Sequence, residues 1–405
     1  MRKRLILGFA LTLIAAGCAG TSKQPTPKEE AIENWNTTRA AVLLSVARDQ
    51  YASGAFDKCR QTLGEAERMD ANDGTVHIFM AKIDIEQGQF EAADTELTNA
   101  RTLINKPFGD AKVDDKSLAE ADYLSGVIYQ RWQQPEKALD FYKNANEKAP
   151  TELSYLMAKA ETLVSLGRQA EAMTVLRARI VYFEHSAVIR DAVGMLLVQE
   201  HKPAEAADMF RRAGILAPED LSIREHLALA LFQTRDYASA SDILEELVKE
   251  PAYTKRTDIL LTLAECQLNT GRPAAARSTA QQVCELEPGN GVAWLTLAKI
   301  SFQLGDLTRA ESDLRRSILI DADASQTHLL LGYLHLRQNQ FQAALDNFRK
   351  ASALDATDPT SLCMIGYTLK KLGRDSEAQT VYAQALKLDP KDSLATQLMA
   401  DTGSR

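Results

Sequence analysis

The residues of this 405-residue chain best able to hold a metal or form a covalent bond are six histidines and five cysteines. His328 and His335 are seven apart and so share one helical face. Two turns separate them by roughly 10 Å, too far to grip one ion, and both read as packing residues. Cys266 and Cys284 fall in one helical hairpin, offset along it by roughly 8–10 Å, beyond disulfide reach. With Cys59 and Cys363 they are expected to be small, buried and unpaired. An acidic stretch opening at Asp110 invites a calcium loop. Such a loop needs an acid or amide at 112, glycine at 115 and glutamate at 121, where the chain has Lys112, Asp115 and Ala121. A lengthened surface loop is expected there. No HExxH, paired CxxC, glycine-rich phosphate loop or nucleophile elbow occurs in the sequence. No catalytic residue, metal or cofactor is therefore expected, and the chain is not read as an enzyme.

Cys18 has a specific chemical context. Arg2, Lys3 and Arg4 precede an apolar run from Leu5 to Ala16, too short to span a bilayer as a stable helix. Ala15, Ala16 and Gly17 then lead into Cys18. This resembles the lipobox of bacterial lipoproteins. The resemblance implies that the thiol of Cys18 is diacylated, the signal is cleaved before it, and the new amino terminus is acylated. Small residues suit a peptidase that must approach the backbone closely. Leucine is commoner at the position of Ala15. An ordinary secretory signal with an incidental cysteine is the competing reading. Multiple acyl chains anchor stably where one does not. Ala19 stands where an aspartate, in the enteric version of the family, retains the protein in the inner membrane. The outer membrane, facing the periplasm, is therefore expected. Residues 19–33 are polar, carry Pro25 and Pro27, and read as a tether, with helix beginning near Glu29 to Trp35.

The elements that would position any site come from a repeat. In windows of 34 residues opening at Ala40, Gly74, Ala119, Leu153, Ala187, Leu221, Thr257, Gly291, Ser325 and Pro359, the eighth position is always alanine or glycine. The twentieth is alanine in all but the first window, which has Cys59. Within the last window, Leu362, Ile365, Gly366 and Leu369 form one helical face, Gly373 a stop, and Ala378, Val381, Tyr382 and Ala385 a second face. Each window thus reads as an antiparallel helix pair. Tyr142, Phe210, Phe348 and Tyr382 fill position 24, and Trp294 fills position 4 of its window. Glycine holds position 15 in six windows and Asn339 in another, both suited to left-handed backbone at a helix end. Pro135, Pro203 and Pro273 follow two residues later in their windows, where a first-turn proline loses no hydrogen bond.

This pattern resembles the tetratricopeptide repeat family, which implies an all-α fold, an α-solenoid forming a right-handed superhelix of antiparallel helix pairs. The chain then divides into a signal over 1–17, a lipid-anchored flexible linker over 18–39, and ten repeats over 40–392 with an insertion near 106–118. A short capping helix and tail occupy 393–405. These segments leave no room for a separate catalytic domain. The resemblance further implies a concave groove lined by first helices at positions 2, 5, 6, 9, 12 and 13. Asparagine at position 6 or 9, used elsewhere in the family to hold a peptide's backbone or its terminal carboxylate, is missing from all ten units. The groove offers Leu229, Phe232, Leu268, Phe302, Tyr333, Leu336 and Tyr367 instead. They suit an apolar or amphipathic partner segment, although position 12 also packs on the next first helix, which gives some of them a core reading.

A formal charge of −8 speaks against nucleic acid, whose phosphates need a basic footprint. The expectation is a non-enzymatic, lipid-anchored scaffold that captures protein segments and meets the membrane only through its lipid. By analogy with other lipoproteins carrying such repeats, it would assist assembly of an envelope machine, a type IV pilus and its secretin or an exopolysaccharide exporter. The alternatives are an adaptor for cell-wall hydrolases and, from another class, an enzyme with an unrecognised site.

Overall fold

The computed structural model describes residues 26–105, 114–391 and 393–402. Cys18, the signal, and residues 106–113 of the expected insertion lie outside the described residues. Every regular element among those described is a helix. The chain divides into two compact units, one ending at Val175 and the other beginning at Leu176.

In the first unit, α1 (Pro27–Ala52) pairs with α2 (Phe56–Met69), α3 (Gly74–Glu86) with α4 (Phe90–Ile104), and α5 (Asp115–Arg131) with α6 (Pro135–Lys148). α7 (Leu153–Ser165) follows, and α8 (Gln169–Arg179) runs through the boundary. In the second unit the pairs are α9 (Ala187–Gln199) with α10 (Pro203–Leu216), α11 (Leu221–Gln233) with α12 (Tyr237–Leu247), and α13 (Thr257–Asn269) with α14 (Pro273–Leu286). Three more follow: α15 (Gly291–Gln303) with α16 (Leu307–Ile320), α17 (Ser325–Arg337) with α18 (Phe341–Leu354), and α19 (Pro359–Lys371) with α20 (Asp375–Leu388). α21 (Ser393–Thr402) packs on the last pair, with Ala395 buried beside Cys363 and Ala385.

The first helix starts earlier than the residue pattern suggests. Thr26 and Glu29 form a capping box: the Glu29 amide donates to Thr26 Oγ1 at 3.3 Å, and the Thr26 amide donates to Glu29 Oε2 at 2.7 Å. Pro27 occupies the first turn, where its fixed φ favours helix. Residues 27–39, expected as linker, are therefore helical, and Trp35 is 66% exposed on that helix.

In most pairs the residues at positions 8 and 24, sixteen apart, are matched in size. Where position 8 is glycine, position 24 is aromatic: Gly126 with Tyr142, Gly194 with Phe210, Gly332 with Phe348, and Gly366 with Tyr382. The rings are fully buried and lie directly over the glycines. A Cβ on Gly194 or Gly332 would sit 2.5 Å from the facing ring. Where position 8 is alanine, the partner is smaller: Ala47 with Leu63, Ala81 with Leu97, Ala228 with Leu244, and Ala298 with Leu314, all buried. In these pairs a given volume is filled by glycine plus ring or by alanine plus leucine; Ala264 departs from the rule, with the buried Ala280 sixteen residues on. Such conservation of volume keeps interiors at crystal-like density.

The turn between paired helices is left-handed in every unit. Six are glycines with φ between 72° and 78°. Asn339, Gln133, His201 and Arg235 adopt the same geometry at φ 59°, 58°, 57° and 64°. At Arg235 the amide donates to the Phe232 carbonyl at 3.0 Å, and the next amide, of Asp236, reaches the Leu231 carbonyl at 3.0 Å. These two bonds satisfy helix-end carbonyls in the Schellman manner, and the need to make them overrides residue preference. An L-residue there costs roughly 1–2 kcal/mol, partly offset by about 0.5–1 kcal/mol that glycine loses on ordering. Arg235→Gly should therefore raise stability by about 0.5–1 kcal/mol. A denaturant titration checks this, and an unchanged or lower midpoint would contradict it.

The two extra residues near Tyr253 to Arg256 have a structural use. α12 stops at Leu247, and the segment that follows turns Tyr253 inward until it is 6% exposed. Its hydroxyl donates to Glu225 Oε2 at 2.8 Å, and Arg256 Nη2 donates to Glu225 Oε1 at 2.8 Å. Burial, before that hydrogen bond, pushes the Tyr253 phenol up to about 12. The insertion thus ties the end of one helix pair to α11 of the same pair.

Candidate functional site

Four of the seven expected groove residues converge. Phe302 from α15, Tyr333 and Leu336 from α17 and Tyr367 from α19 line one cleft of about 450 Å³. Each is half-buried. The successive first helices present positions 12, 9, 12 and 9, so the residues form a staggered apolar floor. Phe348 backs the floor, with its ring edge-on to Tyr333 at 5.3 Å between centroids. Burial raises the Tyr333 phenol above its ordinary value. Phe341, at the start of α18, and Asn339, the left-handed turn residue, also line the cleft.

Residues not read from the sequence complete the site. Arg337 and Lys371 lie at position 13 of their helices and line the same cleft. The Arg337 guanidinium sits 5.1 Å from the centre of the Phe302 ring, and Lys371 Nζ 5.4 Å from that of Tyr367. Both cations are exposed. Position 13 belongs to the family's groove set, so its identity in each unit was the signal available.

The other three expected residues are elsewhere. Leu268 is 8% exposed and belongs to a core cluster with Leu260, Ala264 and Leu297. It is a packing residue, because position 12 of α13 faces the next first helix, α15. Leu229 and Phe232 are half-buried on α11 and do not line the cleft. The Phe232 ring packs against Tyr237 at 5.7 Å.

The histidines divide in the same way. His328 is 6% exposed, with Nε2 at 3.0 Å from the Ala322 carbonyl. His335 is half-buried, not in the core, and its Nδ1 contacts Gln340 Oε1 at 2.7 Å. No group of side chains among the described residues is arranged to hold a metal ion. Cys266 and Cys284 are both buried, and burial pushes their thiols up to about 12 and about 11. Such thiols carry little thiolate near neutrality and are poor nucleophiles.

Three pairs of opposite charge link neighbouring first helices elsewhere. Lys82 Nζ on α3 is 2.5 Å from Glu120 Oε1 on α5. His226 Nδ1 on α11 is 2.8 Å from Asp191 Oδ1 on α9, and Lys299 Nζ on α15 is 3.3 Å from Glu265 Oε1 on α13. The hydrogen bond to Asp191 raises the His226 pKa despite partial burial. That pair stabilises the fold fully below the unfolded histidine value, and the stabilisation is lost as pH rises through the raised folded value.

Comparisons with known proteins agree with this architecture. The family profile described as the cilia and flagella-associated protein 70 C-terminal domain matches residues 220–403. The chain is similar to DnaJ homolog subfamily C member 3 of Gallus gallus, 23% identical over 60% of this chain and 55% of that protein. It is also similar to anaphase-promoting complex subunit 3 of Schizosaccharomyces pombe, 21% identical over 50% of this chain and 30% of that one. The chain thus spans about half or less of these relatives. Among solved structures, the APC/C hetero-tetramer Cut9-Hcn1 aligns with a TM-score of 0.47 at 13% identity, over 92% of this chain and 98% of that one. MamA aligns with a TM-score of 0.35 at 18% identity, over 44% and 95%. The 34-residue register and the helix pairs make this chain an all-α solenoid of repeated helix pairs, similar over residues 220–403 to that family profile.

Proposed function

We propose that the protein is a non-enzymatic scaffold of ten such repeats, anchored in the cell envelope through lipid on Cys18 and facing the periplasm from the outer membrane. Its C-terminal cleft holds an apolar or amphipathic segment of a partner protein, and the complex assists assembly of an envelope machine of the pilus–secretin or exopolysaccharide-export kind. The observation that carries this reading is the half-buried aromatic floor of Phe302, Tyr333 and Tyr367, lying where three first helices line one cleft. Floors of this kind mark contact sites because burying aromatic surface releases ordered water and loses little conformational freedom. The lipid supports the reading by confining the scaffold to a surface, which raises the effective concentration of membrane-bound partners.

The test is the Phe302→Ser/Tyr333→Ser variant, assayed by pull-down from envelope extract beside a thermal melt. Contact residues should lose the captured partner at unchanged helicity, since truncating a contact aromatic costs about 2 kcal/mol, or roughly thirtyfold in affinity. A lowered melting temperature with capture retained would assign both residues to the core. Capture retained at full stability would place the binding surface elsewhere.

A further inference from the structure

We propose that this cleft is built for an acidic partner segment, one in which aromatic or branched aliphatic side chains are flanked by carboxylates. The inference rests on the groove reading above and adds the chemistry of the occupant.

The lining carries two cations, Arg337 and Lys371, and no aspartate or glutamate. Lys82 and Lys299, on other first helices, each pair with a carboxylate of a neighbouring first helix. Arg337 and Lys371 have no carboxylate within ion-pair distance among the described residues, so both remain available to an incoming one. Each is also held over a ring of the floor, at 5.1 Å and 5.4 Å. A cation already positioned loses less rotamer freedom when a carboxylate docks than a free surface side chain would. The apolar floor and charged rim therefore specify a segment with one apolar face and acidic neighbours. The volume, about 450 Å³, lies within the usual range for a ligand cleft.

The chain as a whole points the other way. Its formal charge of −8 repels acidic segments and attracts basic ones at long range. At physiological salt that field is screened beyond about 8 Å, so charges at the contact decide. A preference for acid must then come from the cleft itself, which makes the sign of the preference diagnostic.

The experiment measures fluorescence anisotropy of the full-length protein with three short labelled peptides: phenylalanine spaced by glutamate, by glutamine or by lysine. The glutamate peptide should bind at least about tenfold more tightly than the lysine peptide, with the difference narrowing as salt rises. Arg337→Gln/Lys371→Gln, which alters two exposed side chains, should remove that advantage, bringing the glutamate and glutamine peptides to the same affinity. Equal binding of the glutamate and glutamine peptides would overturn the inference and leave the apolar groove standing. Preference for the lysine peptide would also overturn it. If no peptide binds and Phe302→Ser/Tyr333→Ser keeps its captured partner, the inference and the groove reading fall together.

Discussion

Gly332→Ala should destabilise the protein by about 1–3 kcal/mol, although alanine normally favours a helix by about 1 kcal/mol over glycine. The reversal follows from the Phe348 ring, which would lie 2.5 Å from the new Cβ. Phe348 is fully buried and cannot swing into solvent, so either the ring leaves its rotamer or the helices separate. Phe348→Ala alone should cost about 3–5 kcal/mol through lost burial and the cavity left behind. The combination Gly332→Ala/Phe348→Leu should be less damaging than the sum of its parts. It recreates the alanine–leucine pair already found at Ala298 and Leu314. A double-mutant cycle in denaturant measures the coupling. Additive effects would show that the sixteen-residue size match is incidental.

Cys18→Ser should move the protein from the membrane to the soluble fraction. The expectation follows from acyl chemistry: each buried methylene contributes about 0.8 kcal/mol, so losing the diacyl group removes far more than any surface contact could replace. No helix among the described residues is long and apolar enough to cross a membrane. Fractionation of the variant, with export confirmed by signal cleavage or protease access, is the measurement. Retention in membranes would refute the lipid anchor. Release with loss of the associated partner would add that confinement to the surface, as well as the cleft, supports capture.

The helix-pair architecture was legible in the residue pattern. Small residues at positions 8 and 20, glycine at 15 and proline at 17 specify helix pairs because each acts through local rules: close approach, left-handed turn, first-turn φ. Thr26 and Glu29 also announced the start of α1, though the prolines beside them suggested a tether. Glycines and facing rings were both visible in the sequence, but their pairing shows only once one is folded over the other. Three further matters were decided by the tertiary structure. Gln133, His201 and Arg235 take left-handed backbone because the helix-end carbonyls need the turn's amides, whatever the side chain. Leu268 and Leu336 share position 12, yet one is core and the other lines a cleft. The repeat specifies the direction of a side chain, and the neighbour it meets sets its burial. Arg337 and Lys371 likewise look like other surface cations in the sequence. Their availability depends on which first helices carry carboxylates opposite them, a relation between residues some 34 positions apart that only packing brings together.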